Sequence, residues 1–117
     1  MSNNYRDLNV WKKAIQLVKM IYKASQNFPK SEIYGLTSQI RRAAVSVPSN
    51  VAEGQMRGTK TEFKRFLDIA KGSLAELETQ ITIAKELDYI KGKVESALLE
   101  ESNHIIRMLQ NLKKSLS

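Results

Sequence analysis

The chain of 117 residues contains no cysteine, which excludes a disulfide framework, thiol chemistry and a thiolate metal site and fits a reducing compartment. A single histidine leaves almost no basis for a catalytic triad. No stretch approaches the roughly 20 apolar residues that span a bilayer, and the polar residues 1–7 lack the apolar core of a signal segment. We therefore expect a cytoplasmic protein that is not an enzyme, with no cofactor and no membrane contact.

Proline and glycine are also sparse. The two prolines and five glycines stand at isolated points, and neither a linker nor a low-complexity segment divides the chain. A single domain of this length, residues 1–117, can bury a hydrophobic core without disulfides or structural metal ions. Nothing in the hydrophobic pattern suggests a pair of strands, so the expected class is all-α.

Positive charge is abundant in one half of the chain. Residues 1–65 hold twelve Lys and Arg against four Asp and Glu, a net of +8, whereas residues 66–117 have a net charge of −1. Such asymmetry favours contact with a polyanion or an acidic partner, although a solvated basic surface has the same composition.

Apolar residues recur with helical spacing in four segments. Asp7 is a plausible N-cap of the first helix, and Thr59 with Glu62 has the spacing of a capping box at the start of the third. Short connections between the helices predict an antiparallel up-down-up-down four-helix bundle. The helices are expected over residues 7–26, from 32–36 to 57, over 59–87 and from 92 to the end.

The second helix contains a proline among small residues. Pro48 lacks the N–H that would bond the Ala44 carbonyl, so it predicts an interruption or a kink. One apolar stripe passes through Ala44 and Val47, and a polar stripe runs from Arg42 to Glu53. These two charges are too far apart to pair directly, so their partners are expected on a neighbouring helix or subunit. The small residues are explained equally by close packing around the proline and by a subunit contact.

The segments 39–54, 57–63, 66–67 and 72–79 carry a family resemblance. Their order and spacing resemble the four-helix bundle proteins of the S23, or 23S rRNA intervening-sequence, family, and so does the opening Leu8-x-Val10-Trp11. The resemblance implies a ring-like homopentamer, and a related bundle, the accessory protein of diversity-generating retroelements, is a basic pentamer that binds nucleic acid. It implies no catalytic residues. The residues that match the family motif are expected to serve packing and assembly: Arg42, Ser46, Pro48, Ser49, Asn50, Glu53 and Gly54.

The basic residues form two candidate nucleic-acid patches, which we name the lysine ridge, Lys12, Lys19 and Lys23, and the turn cluster, Arg57, Lys60, Lys64 and Arg65. Either one could be an ordinary solvated surface. A ring would repeat each patch, so that weak phosphate contacts multiply. The sequence thus predicts a scaffold that recognises RNA or DNA, structured RNA foremost, by shape and charge. The alternative is an adaptor whose ring binds an acidic protein.

One pattern with possible metal chemistry is set aside. Glu101 and His104 have the Glu-x-x-His spacing of di-iron bundles, but such a site needs a second motif and two further glutamates. We expect Glu101 to pair with a cation across the bundle and His104 to lie near its edge.

Overall fold

The computed structural model describes residues 4–117 and contains four α-helices. Two single 3₁₀ turns, Tyr5–Asp7 and Lys30–Glu32, precede the first and second α-helices. No strand occurs in the described part of the chain, so the predicted all-α class is confirmed. The helices are α1 (Asn9–Ser25), α2 (Leu36–Met56), α3 (Lys60–Glu86) and α4 (Gly92–Ser115).

The helix starts test the predicted caps. Thr59 precedes α3, and its hydroxyl accepts a hydrogen bond from the Glu62 N–H at 3.2 Å, as predicted. The prediction for Asp7 is wrong. Asp7 belongs to the first 3₁₀ turn, and α1 begins after Leu8 without a side-chain cap.

A carboxylate that the helix pattern did not single out holds the start of α2. Glu32 Oε1 accepts from the Leu36 N–H at 3.0 Å, and Glu32 Oε2 accepts from the Tyr89 hydroxyl at 2.8 Å. The Leu36 N–H, followed by the Tyr89 hydroxyl, lowers the pKa of Glu32, because both donors favour the ionised carboxyl. One side chain therefore connects α2 to the segment between α3 and α4.

The helices pack in cyclic order, each against the two that neighbour it. Within residues 4–117, α1 approaches α2 and α4, whereas no Cα of α1 lies within 8 Å of a Cα of α3, and the same holds for α2 and α4. The bundle core is fully buried at Leu17, Val47, Leu74 and Ile105, one residue from each helix. Asp68 pairs with Lys113 and Glu78 with Ser102, the order expected if α3 and α4 run in opposite directions. The antiparallel course of the whole bundle stays a prediction.

The second helix continues through Pro48 as one α-helix, and the kink stays a prediction. The Ala44 carbonyl receives no N–H from Pro48, and polar side chains bond two other carbonyls nearby in the same helix. Ser46 Oγ donates to the Ala43 carbonyl and Asn50 Nδ2 to the Ser46 carbonyl, both at 2.7 Å.

At Gly54, α2 and α3 lie close together. A Cβ at this position would lie 2.5 Å from Phe66 Cβ, so the two helices meet where a side chain is missing. The prediction that small residues let α2 pack tightly is confirmed here. A short connection follows, in which Gly58 has a φ of +86°, a conformation that glycine adopts readily.

Candidate nucleic-acid interface

The lysine ridge lies on the outward side of α1. The opposite side of this helix faces the core with the buried residues Val10, Ala14, Leu17 and Ile21. Lys12, Lys19 and Lys23 are all exposed. Among residues 4–117, no carboxylate forms an ion pair with any of the three. The ridge therefore presents its full positive charge to solvent.

The adjacent lysine shows how specific this exposure is. Lys13 lies toward α4, and its Nζ is 2.8 Å from Glu101 Oε1, whose side chain is only 18% exposed. Lys13 is thus neutralised within the bundle, whereas Lys12 is not. From Lys12 to Lys23 the ridge extends about 16 Å along the helix, at 1.5 Å per residue. That length matches several successive phosphates of a nucleic-acid strand.

The turn cluster has a different electrostatic environment. Arg57 lies 2.8 Å from Glu53 and 3.7 Å from Glu62, and Arg65 lies 3.0 Å from the same Glu62. The hydrogen bond that Arg57 donates to the Glu53 carboxylate raises the pKa of Arg57, because it favours the charged guanidinium. Two of the four cations in this cluster are therefore paired with carboxylates.

The same two arginines also contact an aromatic ring. The guanidinium carbons of Arg57 and Arg65 lie 4.9 and 4.8 Å from the ring centroid of Phe66, which is within cation–π range. Lys60 and Lys64 have no carboxylate partner in the described part of the chain. We conclude that Arg57 and Arg65 stabilise the start of α3 and that the turn cluster is the weaker candidate for phosphate contact.

The predicted assembly motif divides between the core and the surface. Pro48 and Gly54 are buried, Ser46 and Asn50 are half-buried, and Arg42, Ser49 and Glu53 are exposed. The prediction that Glu53 finds its partner on another helix or subunit is wrong, because Glu53 pairs with Arg57 in the next turn. Arg42 has no ion-pair partner within residues 4–117.

The Glu-x-x-His pair has the surroundings that the sequence predicted. Glu101 pairs with Lys13 across the bundle, and His104 is exposed. Within residues 4–117, no group of three or more His, Asp and Glu side chains has the proximity to hold a metal ion.

One polar site was not predicted from the sequence. An open groove of about 560 Å³ runs between the outer sides of α2 and α3, and we call it the α2–α3 groove. Gln80 interrupts the apolar stripe of Leu74, Leu77 and Ile81, and this polar residue at a core position is the signal that could have revealed the groove. The groove is lined by Tyr34, Ser38, Gln39, Arg42, Ala43, Ser46, Ser73, Glu76 and Gln80.

Fold and charge together define the class of this protein, a small basic four-helix bundle with a lysine ridge on one helix. None of the helices within residues 4–117 combines the length and apolar character that crossing a bilayer requires.

The chain belongs to the 23S rRNA-intervening sequence protein family, whose model matches residues 6–111. A crystal structure of a protein of unknown function from the S23 ribosomal protein family of Bacteroides thetaiotaomicron has the same fold, with a TM-score of 0.79 and 22% identity. The match covers 90% of this chain and 98% of that one. The search of curated proteins gave no match. The family resemblance and the four-helix fold predicted from the sequence are thereby confirmed.

Proposed function

We propose that this protein is a non-enzymatic, homo-oligomeric basic scaffold of the cytoplasm that associates with nucleic acid, structured RNA foremost. The observation that carries the proposal is the lysine ridge, three exposed lysines on one side of α1 without carboxylate partners in the described chain. A family named for sequences that intervene in 23S rRNA agrees with RNA as the partner.

Binding would depend on charge and spacing. Lysine ammonium groups contact phosphates as point charges and release condensed counterions, a contribution that carries no base sequence. Trp11, Phe63 and Phe66 are at least partly buried, so these rings do not offer an open platform on which single-strand bases stack. The scaffold would therefore follow the shape and charge of a folded nucleic acid.

Assembly would raise the affinity of an otherwise weak ridge. The family resemblance suggests five subunits, and a ring of five presents about fifteen ridge lysines to one ligand. Because linked sites bind with a high effective concentration, weak contacts can then give a stable complex. The exposed motif residues Arg42, Ser49 and Glu53 would lie at or near the subunit contact.

The decisive experiment removes the ridge charges while leaving the bundle intact. A triple variant, Lys12→Gln, Lys19→Gln and Lys23→Gln, should weaken binding to a structured RNA and reduce the steepness of its salt dependence. The slope of log K against log salt should fall by about 0.7–0.9 for each phosphate contact that is lost. Fluorescence anisotropy in a salt titration measures both quantities, and duplex DNA as a second ligand compares the two nucleic acids.

A matched control removes the same charge elsewhere. Lys30, Lys91 and Lys93 are exposed at the end of the bundle where α3 leads into α4. Changing these three to Gln lowers the net charge equally, so it should have a smaller effect. Equal loss in both triple variants would refute the ridge as the site, and wild-type protein that binds no nucleic acid at low salt would refute the proposal.

Exposed apolar residues support the alternative of a protein-interaction adaptor. Tyr34 is 95% exposed and Met56 is 71% exposed. The ring of Tyr34 or the thioether of Met56 could pack against a partner protein. Affinity capture with nuclease treatment separates the two functions. A defined acidic protein that stays bound after nuclease, together with no direct RNA binding, would favour the adaptor.

A further inference from the structure

A second groove, between α1 and α2, carries charge of one sign. It measures about 570 Å³, and we call it the α1–α2 groove. Its charged lining residues are Arg41 and Arg42, and no Asp or Glu of the described chain lines it. The α2–α3 groove differs, because Glu76 as well as Arg42 lines it. The α1–α2 groove therefore suits an anion.

The Arg41 side chain is held in place by two residues of α1. Its Nε donates a hydrogen bond to Ser25 Oγ at 2.8 Å, and Ser25 is only 2% exposed. Its guanidinium carbon lies 4.5 Å from the centroid of the Tyr22 ring, which is within cation–π range. A side chain that is already ordered loses little conformational entropy when it binds a ligand. Arg41 is thus preorganised for binding.

Arg41 retains most of its hydrogen-bonding capacity. Of the five N–H donors of a guanidinium, two are used within residues 4–117, by Ser25 Oγ and, at 3.5 Å, by the Tyr22 carbonyl. Three donors remain. No carboxylate of the described residues forms an ion pair with Arg41, although its side chain is half-buried. An ordered guanidinium with open donors and no counter-charge indicates an anionic ligand.

The groove adjoins the lysine ridge. Tyr22, which Arg41 covers, lies three residues after Lys19, so the two side chains are neighbours on the surface of α1. The other flank of the ridge faces α4, where Lys13 pairs with Glu101. Positive charge without a partner therefore continues from the ridge past Tyr22 to Arg41. Successive unpaired cations suit a ligand with successive negative charges, such as a nucleic-acid strand.

We propose that the α1–α2 groove binds one backbone phosphate of the nucleic acid, with Arg41 donating to two phosphate oxygens while Lys19 and Lys23 contact neighbouring phosphates. A planar guanidinium matches the oxygens of a phosphate, whereas a lysine ammonium acts as a point charge. The proposal rests on the nucleic-acid association stated in the proposed function. It adds a contact of fixed geometry, which positions the strand on the bundle.

The test keeps the charge and changes the geometry. Arg41→Lys preserves the net charge of the protein but loses the planar set of donors. Arg107→Lys is the matched control, because Arg107 is an exposed arginine of α4 without an ion-pair partner within residues 4–117. Fluorescence anisotropy with a structured RNA measures affinity and its salt dependence, and circular dichroism checks the helical fold.

We expect Arg41→Lys to bind the RNA about tenfold more weakly, the effect of losing one charge-assisted hydrogen bond. The slope of log K against log salt should stay at the wild-type value, because the number of cations is unchanged. Arg107→Lys should bind like the wild type. If Arg41→Lys also binds like the wild type while the ridge triple variant binds weakly, the inference is wrong and the proposed function stands. Equal weakening by both arginine variants also overturns it, and wild-type protein that binds no nucleic acid refutes the proposed function itself.

Competition identifies the source of the anion. Unlabelled RNA should displace the labelled RNA, whereas inorganic phosphate and polyglutamate should have little effect beyond that of sodium chloride at the same ionic strength. Displacement by inorganic phosphate that disappears in Arg41→Lys would assign the groove to a small phosphate compound. The same result with polyglutamate would assign it to an acidic protein. Either outcome would overturn the assignment to a nucleic-acid phosphate.

A second variant examines the preorganisation of Arg41. Ser25→Ala removes the acceptor of the Nε–H and leaves the guanidinium unchanged. The variant should bind the RNA more weakly than the wild type, but Ser25→Ala should have no further effect when it is added to Arg41→Lys, because Ser25 acts as a positioning residue for Arg41. Additive losses, or an unchanged affinity of Ser25→Ala, would overturn this part of the inference.

Discussion

Small residues occur on both sides of the α2–α3 pair, and the two sides differ in what fills the adjacent space. On the inner side, Gly54 faces Phe66, and an added Cβ would lie 2.5 Å from the Phe66 Cβ. On the outer side, apart from the adjacent backbone of α3, no atom of residues 4–117 lies within 4 Å of the same position at Gly72. The inner glycine is explained by the fold of one chain, and the outer glycine is not.

This difference shows that one sequence signal, a small residue in a helix, can have two structural causes. A run of small residues predicts a close neighbour, but the pattern does not say whether that neighbour belongs to the same chain. The polar side chains show the same contrast. Glu32 has both carboxylate oxygens hydrogen-bonded within the chain, whereas Gln80 Oε1 has no donor in the described residues.

The largest expected effect is at the inner glycine. Gly54→Ala should lower the free energy of unfolding by about 1–3 kcal/mol, because overpacking forces α2 and α3 apart. The opposing gain in helix propensity is about 1 kcal/mol or less. Urea unfolding followed by circular dichroism measures the difference. A variant as stable as the wild type would show that α2 and α3 can separate freely at this point.

The outer glycine should respond in the opposite direction. Gly72→Ala should raise the free energy of unfolding of the monomer by about 0.5–1 kcal/mol, since alanine is the better helix former and its methyl group meets open space. Urea unfolding at protein concentrations low enough to keep the monomer provides the measurement. Destabilisation of the monomer would indicate a neighbour within the chain and would remove the contrast with Gly54.

The fold was largely accessible from the sequence because helical signals are local. Thr59 caps α3 as its spacing with Glu62 predicted, and the apolar stripes of α1 to α3 face the core. The prediction from the sequence was wrong where alternative backbone conformations compete at the start of a helix. Asp7, which was predicted to cap the first α-helix, lies in a 3₁₀ turn instead.

The candidate site was only partly predictable, because electrostatic partners come from distant positions. Helical spacing alone placed the lysine ridge on one exposed side of α1. It could not show that Lys13 meets Glu101, which lies on the last helix of the bundle. The pairing of Arg57 and Arg65 with Glu62 depends on side-chain conformation at a turn, which no periodicity encodes. A list of basic residues therefore overstated the turn cluster.

The smallest expected effect concerns Glu32, whose two carboxylate oxygens both accept hydrogen bonds within the chain. The pKa of Glu32 is lowered by the Leu36 N–H and then by the Tyr89 hydroxyl. Because its pKa is lowered in the folded state, Glu32 stabilises the fold fully above the unfolded pKa of about 4.3. This stabilisation is lost as the pH falls through the pKa of the folded state. Glu32→Gln cannot titrate. Its stability deficit against the wild type should be largest near neutral pH and shrink below about pH 4.

Urea unfolding of the wild type and Glu32→Gln between neutral and acidic pH measures this deficit, and the other carboxylates cancel because both proteins contain them. Tyr89→Phe is the intermediate case, since it removes the Tyr89 hydroxyl and keeps the Leu36 N–H. A deficit that stays constant with pH would mean that the carboxylate charge does not stabilise the start of α2. In that case the second acceptor oxygen of Glu32, which an amide lacks, would account for the deficit, because glutamine preserves the shape of the side chain.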